Sequence, residues 1–260
     1  MAAGRSGKSH TSEMRIILTI QARMDSRRLP GKILFPLGET NVLHQIIARV
    51  SHSSTVQDRV IATSLDKTND VVLDFASAFG EKCFRGPEND VLRRLYEAGS
   101  ELAATHLVRI SADSPFIDPN LIDFVVECAI AAGADYTSNT LDRSFPVGSS
   151  VEVCTMESLT TVLDEATEPH HREHVTPYYR EHPDRFSHAS VTSAEVFANP
   201  VHQGRTDCRI TLDEADDYRL LRAIEQHLPD AATASLPAVI DTIDAHGLAA
   251  INAHVQQKAV

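Results

Sequence analysis

The stretch that decides the fold is residues 15–32, RIILTIQARMDSRRLPGK. Arg15–Ile20 is a short, isoleucine-rich apolar run, which predicts a buried β-strand. The loop that follows holds four of the 24 basic residues, between Arg23 and Lys32. Ligands of open α/β sheets bind at the carboxyl ends of the strands, so these side chains are well placed to bind a polyphosphate. The alternative is a solvated basic turn.

Short apolar runs and amphipathic segments alternate through the rest of the first half. Arg59–Thr63 and Leu107–Ile110 are further predicted strands. The predicted helices are Asn41–His52, Val71–Phe79, Asp90–Ala104 and Asn120–Ala132. This alternation predicts an α/β fold with a mostly parallel sheet that is covered by helices.

The second half is less regular. Val151–Cys154 and Phe186–Val191 are predicted strands, while Met156–Ala166 and Glu214–His227 are predicted helices. Leu236–Val255 is expected to form two short helices broken at Gly247. We expect a polar, disordered tail at residues 1–13 and one domain over residues 14–260, with residues 145–202 forming a lobe.

Composition excludes several classes of function. The chain of 260 residues has 36 acidic and 24 Lys or Arg side chains, a formal charge of −12. Such a charge argues against binding to nucleic acid or to an anionic membrane, and no run approaches the ~18 apolar residues of a membrane span. The four cysteines are widely spaced without a C-x-x-C pair, which predicts reduced thiols in a cytoplasmic protein.

Two aspartates follow strand-like segments. Asp113 comes after Leu107–Ile110, and Asp213 comes after Arg209–Leu212. Mg²⁺ binds one or two carboxylates together with substrate phosphates, so the pair could hold this ion against a nucleotide. Either aspartate alone is as readily explained as a turn or helix cap.

Residues 170–174, HHREH, match the H-x-x-E-H pattern of a class of zinc peptidases. On a helix, His170 and His174 would share one face and could bind zinc. The flanking prolines and the missing third ligand, for which Glu195 is conceivable, argue against this interpretation. Arg172 and His174 could instead contact an acidic substrate.

Six blocks occur in a fixed order along the chain. They are residues 21–32, 84–94, 109–115, 145–153, 172–178 and 209–218. In this order they resemble the cytidylyltransferases of bacterial acidic-sugar metabolism. The nearest type is the spore-coat polysaccharide protein F group, related to the acylneuraminate and KDO cytidylyltransferases. Ser111 and Ser114 depart from this pattern, since they stand where Thr and Cys are frequent.

The resemblance implies a three-layer nucleotide-diphospho-sugar transferase fold, which is glycosyltransferase-A-like and Rossmann-like, with a mostly parallel mixed sheet. It implies transfer of CMP from CTP to a small acidic acceptor, with Mg²⁺ as cofactor and pyrophosphate as product. The acceptor would be a nonulosonic-type sugar acid, a phosphonate or a phosphorylated small molecule. A homodimer is expected, with residues 145–202 on the acceptor side or at the dimer interface.

The resemblance also assigns residues. Arg23, Lys32, Asp113 and Asp213 become catalytic, and both aspartates become metal ligands. The expected nucleotide contacts are Gln21, Ala22, Arg23, Ser26, Arg28, Lys32, Ala62, Thr63, Arg85, Asp90, Ser111 and Ala112. Glu152, Arg172 and His174 are expected near the acceptor. Three alternatives stay open: use of another nucleoside triphosphate, a zinc hydrolase built on the H-x-x-E-H segment, and a non-catalytic nucleotide-binding module.

Overall fold

The strands and helices follow the predicted alternation. A computed structural model describes residues 14–256, so the predicted tail, 1–13, lies outside the described part. The strands are β1 Ile16–Gln21, β2 Pro36–Leu37, β3 Thr40–Asn41, β4 Asp58–Ser64, β5 Cys83–Gly86, β6 His106–Ser111, β7 Tyr136–Ser138, β8 Glu152–Thr155 and β9 His188–Ser190. The α-helices are α1 Val42–Val50, α2 Asp70–Phe79, α3 Val91–Glu101, α4 Pro119–Ala132, α5 Met156–Glu165, α6 Pro169–His174, α7 Pro177–Glu181, α8 Ser193–Val196, α9 Ala215–His227 and α10 Leu236–Ala245.

Seven strands form one mixed sheet in the order β5-β4-β1-β6-β8-β7-β9. Strands β5, β4, β1 and β6 are parallel, whereas β8 runs antiparallel to both of its neighbours and β9 runs parallel to β7. Strand β1 lies between β4 and β6, and its residues Ile16–Ile20 are all buried. A strand covered on both faces should be apolar throughout, so the opening run of the sequence correctly predicted this interior position.

Helices cover both faces of the sheet. Because successive side chains of a strand point to opposite faces, Leu18 and Ile20 pack into one apolar cluster and Ile17 into another. The first cluster includes side chains of α1, α2, α4, α9 and α10, and the second includes side chains of α3, α5 and α7. The predicted three-layer α/β architecture is therefore confirmed.

Several details differ from the sequence prediction. The strand predicted at Phe186–Val191 is confined to β9, and the three-residue strand β7 was missed because it is too short to show a pattern. Arg209–Leu212 does not join the sheet and makes only an isolated bridge between Arg209 and Val147. Within residues 14–256, no helix is long and apolar enough to cross a bilayer.

The predicted lobe, residues 145–202, contributes β8 and β9 to the main sheet. Its separate role on the acceptor side or at a dimer interface stays a prediction. What matters for the site is that β8 brings its first residue, Glu152, beside Arg109 of β6.

Candidate active site

The basic loop after β1 turns back onto the sheet at Gly31. This residue has φ 74°, in the left-handed region that glycine adopts without strain, and its N–H donates to the carbonyl of Met24. Lys32 then begins a 3-10 turn with its side chain largely buried. The turn directs the lysine toward the carboxyl ends of the strands rather than into solvent.

The Lys32 ammonium lies between the two predicted metal ligands. Its Nζ is 3.0 Å from Oδ2 of Asp113 and 2.9 Å from Oδ1 of Asp213. It also donates to the carbonyl oxygen of Leu212. The Leu212 N–H in turn donates to the Asp113 carbonyl, 2.8 Å away, so the two aspartate segments are held side by side.

Positive charge surrounds Asp213. Arg28 contacts Oδ1 at 3.1 Å, and Arg209 contacts Oδ2 at 3.0 Å. Burial acts to raise the pKa of Asp213, but Lys32, Arg28 and Arg209 outweigh it and lower that pKa. The carboxylate is therefore ionised at neutral pH. The sequence singled out Arg28 as a phosphate contact, and here it also contacts Glu214.

The arrangement fits a hard divalent cation. Oxygen atoms of Asp113 and Asp213 both lie within 3.0 Å of one positively charged atom, Nζ of Lys32. Carboxylate oxygens that already converge on a cation are suitable ligands for Mg²⁺. The structure thus brings together three of the four predicted catalytic residues. The fourth, Arg23, is half-exposed and lies 3.7 Å from Asp25.

A close backbone approach connects this end of the site to a neighbouring pocket. Gly148 has φ 102°, and a Cβ at this position would lie 2.5 Å from the backbone nitrogen of Thr211. The Ile210 N–H donates to the carbonyl of Val147 at 2.7 Å. Only glycine fits here, and it lets the segment before Asp213 pack directly against the pocket wall.

The pocket has a volume of about 350 Å³ and is rich in arginine. Its wall includes Ser111, the last residue of β6, two positions before Asp113. Other polar or charged lining residues are Arg109, Asn139, Thr140, Arg143, Ser149, Ser150, Glu152, His174, Thr176, Arg180 and Thr206. A cavity of this size suits a small molecule, and its charge suits an anion.

Glu152 lies at the pocket wall with both carboxylate oxygens engaged. Oε1 accepts hydrogen bonds from Tyr136 and Thr176, each at 2.7 Å, and Oε2 accepts from Arg109. Burial acts to raise the pKa of Glu152, but Arg109 and the two hydroxyl groups outweigh it and lower that pKa. Arg109 also donates to Gln21 at the end of β1. Glu152 therefore positions Arg109 between the basic loop and the pocket.

Two lining arginines, Arg143 and Arg180, were missed by the sequence analysis. Among residues 14–256, neither guanidinium makes a hydrogen bond or an ion pair with the protein. Arg143 is exposed and Arg180 is half-buried, so both guanidinium groups are accessible to a ligand in the pocket. The available sequence signal was their position, since each lies two residues from a motif residue, Phe145 or Tyr178.

His174 lines the pocket, as predicted for an acceptor contact, but Arg172 does not. Burial lowers the pKa of His174 and keeps the imidazole neutral at pH 7. The Arg172 guanidinium donates to the carbonyls of Ala166 and Leu163 and reaches Asp90 at 3.4 Å. It thereby connects the end of α5 to the start of α3.

The remaining predicted nucleotide contacts lie along the carboxyl edge of the parallel strands. Ala22 and Ala62 are buried and joined by a backbone hydrogen bond of 3.1 Å. Thr63 is buried, and its hydroxyl has no partner among the described residues. Arg85 and Asp90 make contacts within the protein. Arg85 donates hydrogen bonds to Ser64, Asp66 and Asp70, and Asp90 caps the N-terminus of α3. Ser26 accepts from Leu29 in the basic loop, and the Ala112 N–H donates to the carbonyl of Gln21.

The predicted zinc pair, His170 and His174, is not part of a group of three or more potential ligands within residues 14–256. Among residues 14–256, three potential ligand atoms lie within 4.8 Å of one another in His170, His171 and Glu181. His174 is not in this group, and Glu195 accepts from both the N–H and the hydroxyl of Thr192 in a capping box. The H-x-x-E-H spacing therefore does not describe the observed cluster.

Comparisons with known proteins identify the family of the chain. The cytidylyltransferase family profile matches residues 17–231. The chain is 33% identical over 234 residues to the spore coat polysaccharide biosynthesis protein SpsF of Bacillus subtilis, covering 87% of this chain and 94% of that protein. It is 31% identical over 110 residues to a 3-deoxy-manno-octulosonate cytidylyltransferase of Geobacter sulfurreducens, covering 42% of this chain and 43% of that one.

Solved structures give the same result. A cytidylyltransferase from Leptospira borgpetersenii superimposes with a TM-score of 0.84 at 26% identity, covering 95% of this chain and all of that one. A CMP-2-keto-3-deoxy-manno-octonic acid synthetase, solved with CTP, shares the fold with a TM-score of 0.59 at 15% identity, over 82% of this chain and all of that one. The chain is therefore a member of the cytidylyltransferase family.

Proposed function

We propose that this cytidylyltransferase transfers CMP from CTP to a small acidic acceptor bound in the arginine-lined pocket. The observation that carries the proposal is the pair Arg143 and Arg180, which line the pocket without a protein carboxylate to neutralise them. An anionic acceptor would supply that charge. Ser111 joins the two halves of the site, because it lines the pocket and lies two residues before Asp113.

The reaction forms one bond and breaks another. An acceptor oxygen attacks the α-phosphorus of CTP, and the bond from that phosphorus to the bridging oxygen breaks, so that pyrophosphate leaves with the electron pair. Reactions of this class depend on positioning and charge stabilisation more than on covalent catalysis. We assign the triphosphate to Arg23, Arg28 and Lys32.

Asp113 and Asp213 would hold the metal ion. When bound there, Mg²⁺ neutralises charge on the phosphates. Lys32 lies within hydrogen-bond distance of both carboxylates and can turn from them to a phosphate oxygen. Arg209 keeps Asp213 ionised and oriented from the opposite side.

The acceptor determines whether a base is needed. A carboxylate or phosphate oxygen is already ionised at pH 7 and attacks without one. A sugar hydroxyl has to lose a proton, and His174 is the neutral imidazole in the pocket that can accept it. The names of the relatives, which include 3-deoxy-manno-octulosonate and spore coat polysaccharide biosynthesis, support a ulosonic sugar acid as the first class of acceptor to test, with eight-carbon and nine-carbon members in the panel.

The first experiment measures thermal stabilisation by CTP, UTP, ATP and GTP, each with and without Mg²⁺. A ligand that binds the native state raises the midpoint according to its affinity. We expect a shift specific to CTP and larger with Mg²⁺, followed by pyrophosphate release with one member of an acidic acceptor panel. A thermal shift with another nucleotide instead of CTP would mean that this other nucleotide is the donor. Binding without turnover for any acceptor would favour a nucleotide-binding module, and chelator-sensitive hydrolysis without nucleotide would favour a zinc hydrolase.

A further inference from the structure

A tight turn joins α6 to α7 beside the acceptor pocket. Val175, at its centre, has φ 71° and ψ −64°, and the Thr176 N–H donates to the carbonyl of His174 at 2.8 Å. These values define a classic γ-turn, which is rare and strained, and a β-branched residue is especially unfavourable there. Val175 is also buried, so packing holds it in this conformation.

The turn positions part of the pocket wall. His174 and Thr176 flank Val175, and both line the cavity, as does Arg180 on α7. Thr176 also holds Glu152. Any contact that holds α6 against α7 therefore fixes the positions of the three pocket residues His174, Thr176 and Arg180.

Such a contact lies on the hairpin itself. Glu181, the last residue of α7, accepts hydrogen bonds from His170 Nε2 at 3.1 Å and from His171 Nε2 at 2.7 Å. The His171 ring is buried and packs edge-on against Tyr178. His170 and Glu181 are about half exposed, so this cluster is open to solvent on one side.

We propose that His170, His171 and Glu181 form a binding site for a divalent transition metal, zinc in the first place, which locks the α6–α7 hairpin around its strained turn. Two imidazole nitrogens and one carboxylate oxygen are a common zinc ligand set. Tetrahedral ligands at zinc distances lie about 3.3 Å apart. Each histidine contacts a different oxygen of Glu181, and the three ligand atoms lie within 4.8 Å of one another, so rotation of the exposed His170 and Glu181 side chains would bring them to this spacing.

The donor chemistry separates this site from the magnesium site. Asp113 and Asp213 offer oxygen ligands only, whereas imidazole nitrogen selects zinc and its neighbours over Mg²⁺. His171 Nδ1 is buried without a partner among the described residues. Zinc ligands usually donate that second N–H to an acceptor, so we expect weaker binding than at a structural zinc finger.

The test titrates the full chain with Zn²⁺ by calorimetry, without nucleotide, and follows the ligand-field absorption of Co²⁺ as a second readout. We expect one high-affinity site in the wild type. His170→Gln and Glu181→Gln alter exposed side chains and should lower the affinity at least tenfold, while Asp213→Asn should leave it unchanged. The proposal is overturned if the wild type does not bind Zn²⁺, or if both hairpin variants bind it as tightly as the wild type.

Two control variants test whether Zn²⁺ binds at a histidine outside the proposed cluster. His52→Gln removes an exposed imidazole far along the chain, and His227→Gln breaks the stacked pair of His227 and His246, the rings of which are 3.9 Å apart. Both variants should keep full Zn²⁺ affinity. Loss of binding in either variant would mean that Zn²⁺ binds at the substituted histidine and not at the proposed cluster.

Hydrogen exchange tests whether bound Zn²⁺ rigidifies the turn between α6 and α7. Zn²⁺ should slow exchange at the Val175 and Thr176 N–H groups, which donate to His171 and His174, and unchanged exchange in the loaded protein would refute it. The effect of Zn²⁺ on acceptor affinity rests on the proposed function, but the binding and exchange measurements do not. Failure of the CTP assay and failure of the zinc site are therefore distinguishable.

Discussion

The Lys32 ammonium lies 2.9 Å from Oδ1 of Asp213, although 181 positions separate the two residues. One belongs to the loop after the central strand and the other precedes α9. Folding therefore creates this pair from distant parts of the chain, and we propose that charge on the nucleotide is controlled at this point. The predictions below concern titratable groups around this point and in the pocket beside it.

Replacing Asp213 with Asn should abolish most turnover with Mg²⁺ and leave the fold intact. The variant keeps the shape of the side chain but removes one of two anionic metal ligands. Loss of one charge interaction in an active site typically lowers the rate on the order of 100-fold or more. Pyrophosphate release measures the effect, and Asp216→Asn on α9, at the exposed pair with Arg219, is the matched control. Activity equal to the wild type would exclude Asp213 as a metal ligand.

Lys32→Ala should weaken CTP binding. The substitution removes a buried positive charge from the predicted triphosphate contacts and leaves Asp113 and Asp213 facing each other without it. We expect a smaller CTP-induced thermal shift and a higher KM for CTP. Lys82→Ala, at a surface pair with Asp58, is the control and should keep both values. If affinity and rate are unchanged in Lys32→Ala, Lys32 does not belong to the site.

Arg180→Met and Arg143→Met should raise the KM for the acidic acceptor and leave CTP binding unchanged. A hydrogen bond to a charged group contributes about 1.5–3 kcal/mol, which corresponds to a ~10- to 150-fold change in affinity. Both residues lack partners within residues 14–256, so the substitutions break no internal ion pair. Arg219→Met, on the exposed face of α9, controls for the change in net charge. An unchanged acceptor KM in both pocket variants would contradict the assignment of the pocket.

Glu152→Gln should destabilise the protein in a pH-dependent way. Removing one member of a buried ion pair leaves Arg109 uncompensated, at a cost of about 3 kcal/mol near pH 7. Because the pKa of Glu152 is lowered in the folded protein, its charge contributes stability above the unfolded pKa of ~4.3, and this contribution is lost as the pH falls through the folded value. Urea unfolding should show a gap between wild type and variant that narrows toward low pH. A gap independent of pH would mean that shape, not charge, holds Glu152 in place.

His174 should also make stability fall toward low pH, but from a higher starting pH than Glu152. Burial lowers its pKa in the folded state, so its neutral form contributes stability above the unfolded pKa of ~6.5, and this is lost as the pH falls below that value. His174→Asn should therefore lose less stability than the wild type between ~pH 6.5 and 5. If the two proteins lose stability in parallel, the imidazole titrates alike in the folded and unfolded states.

The sequence was most informative where a short local pattern is sufficient to predict a strand or a site residue. The run Arg15–Ile20 gave the central strand, and the basic loop and two aspartates pointed to residues that do meet, at Lys32. The pocket arginines were not predictable in this way, because whether Arg143 or Arg180 lacks a partner depends on the whole fold. The H-x-x-E-H spacing pointed to His170 and His174, whereas the three potential ligand atoms that lie together belong to His170, His171 and Glu181 of the next helix.

The reversal of direction at β8 has a consequence for how such enzymes diversify. Because β8 runs against β6, the segment that enters it, residues 139–151, opens at the same edge of the sheet as Ser111. That segment supplies much of the pocket wall, yet none of it pairs with β1 or β4. If the pocket binds the acceptor as we propose, substitutions or insertions there should change which acceptor is used while the proposed nucleotide contacts stay constant. On the proposed function, evolution or a protein engineer can therefore alter the product of this enzyme through one segment of the chain.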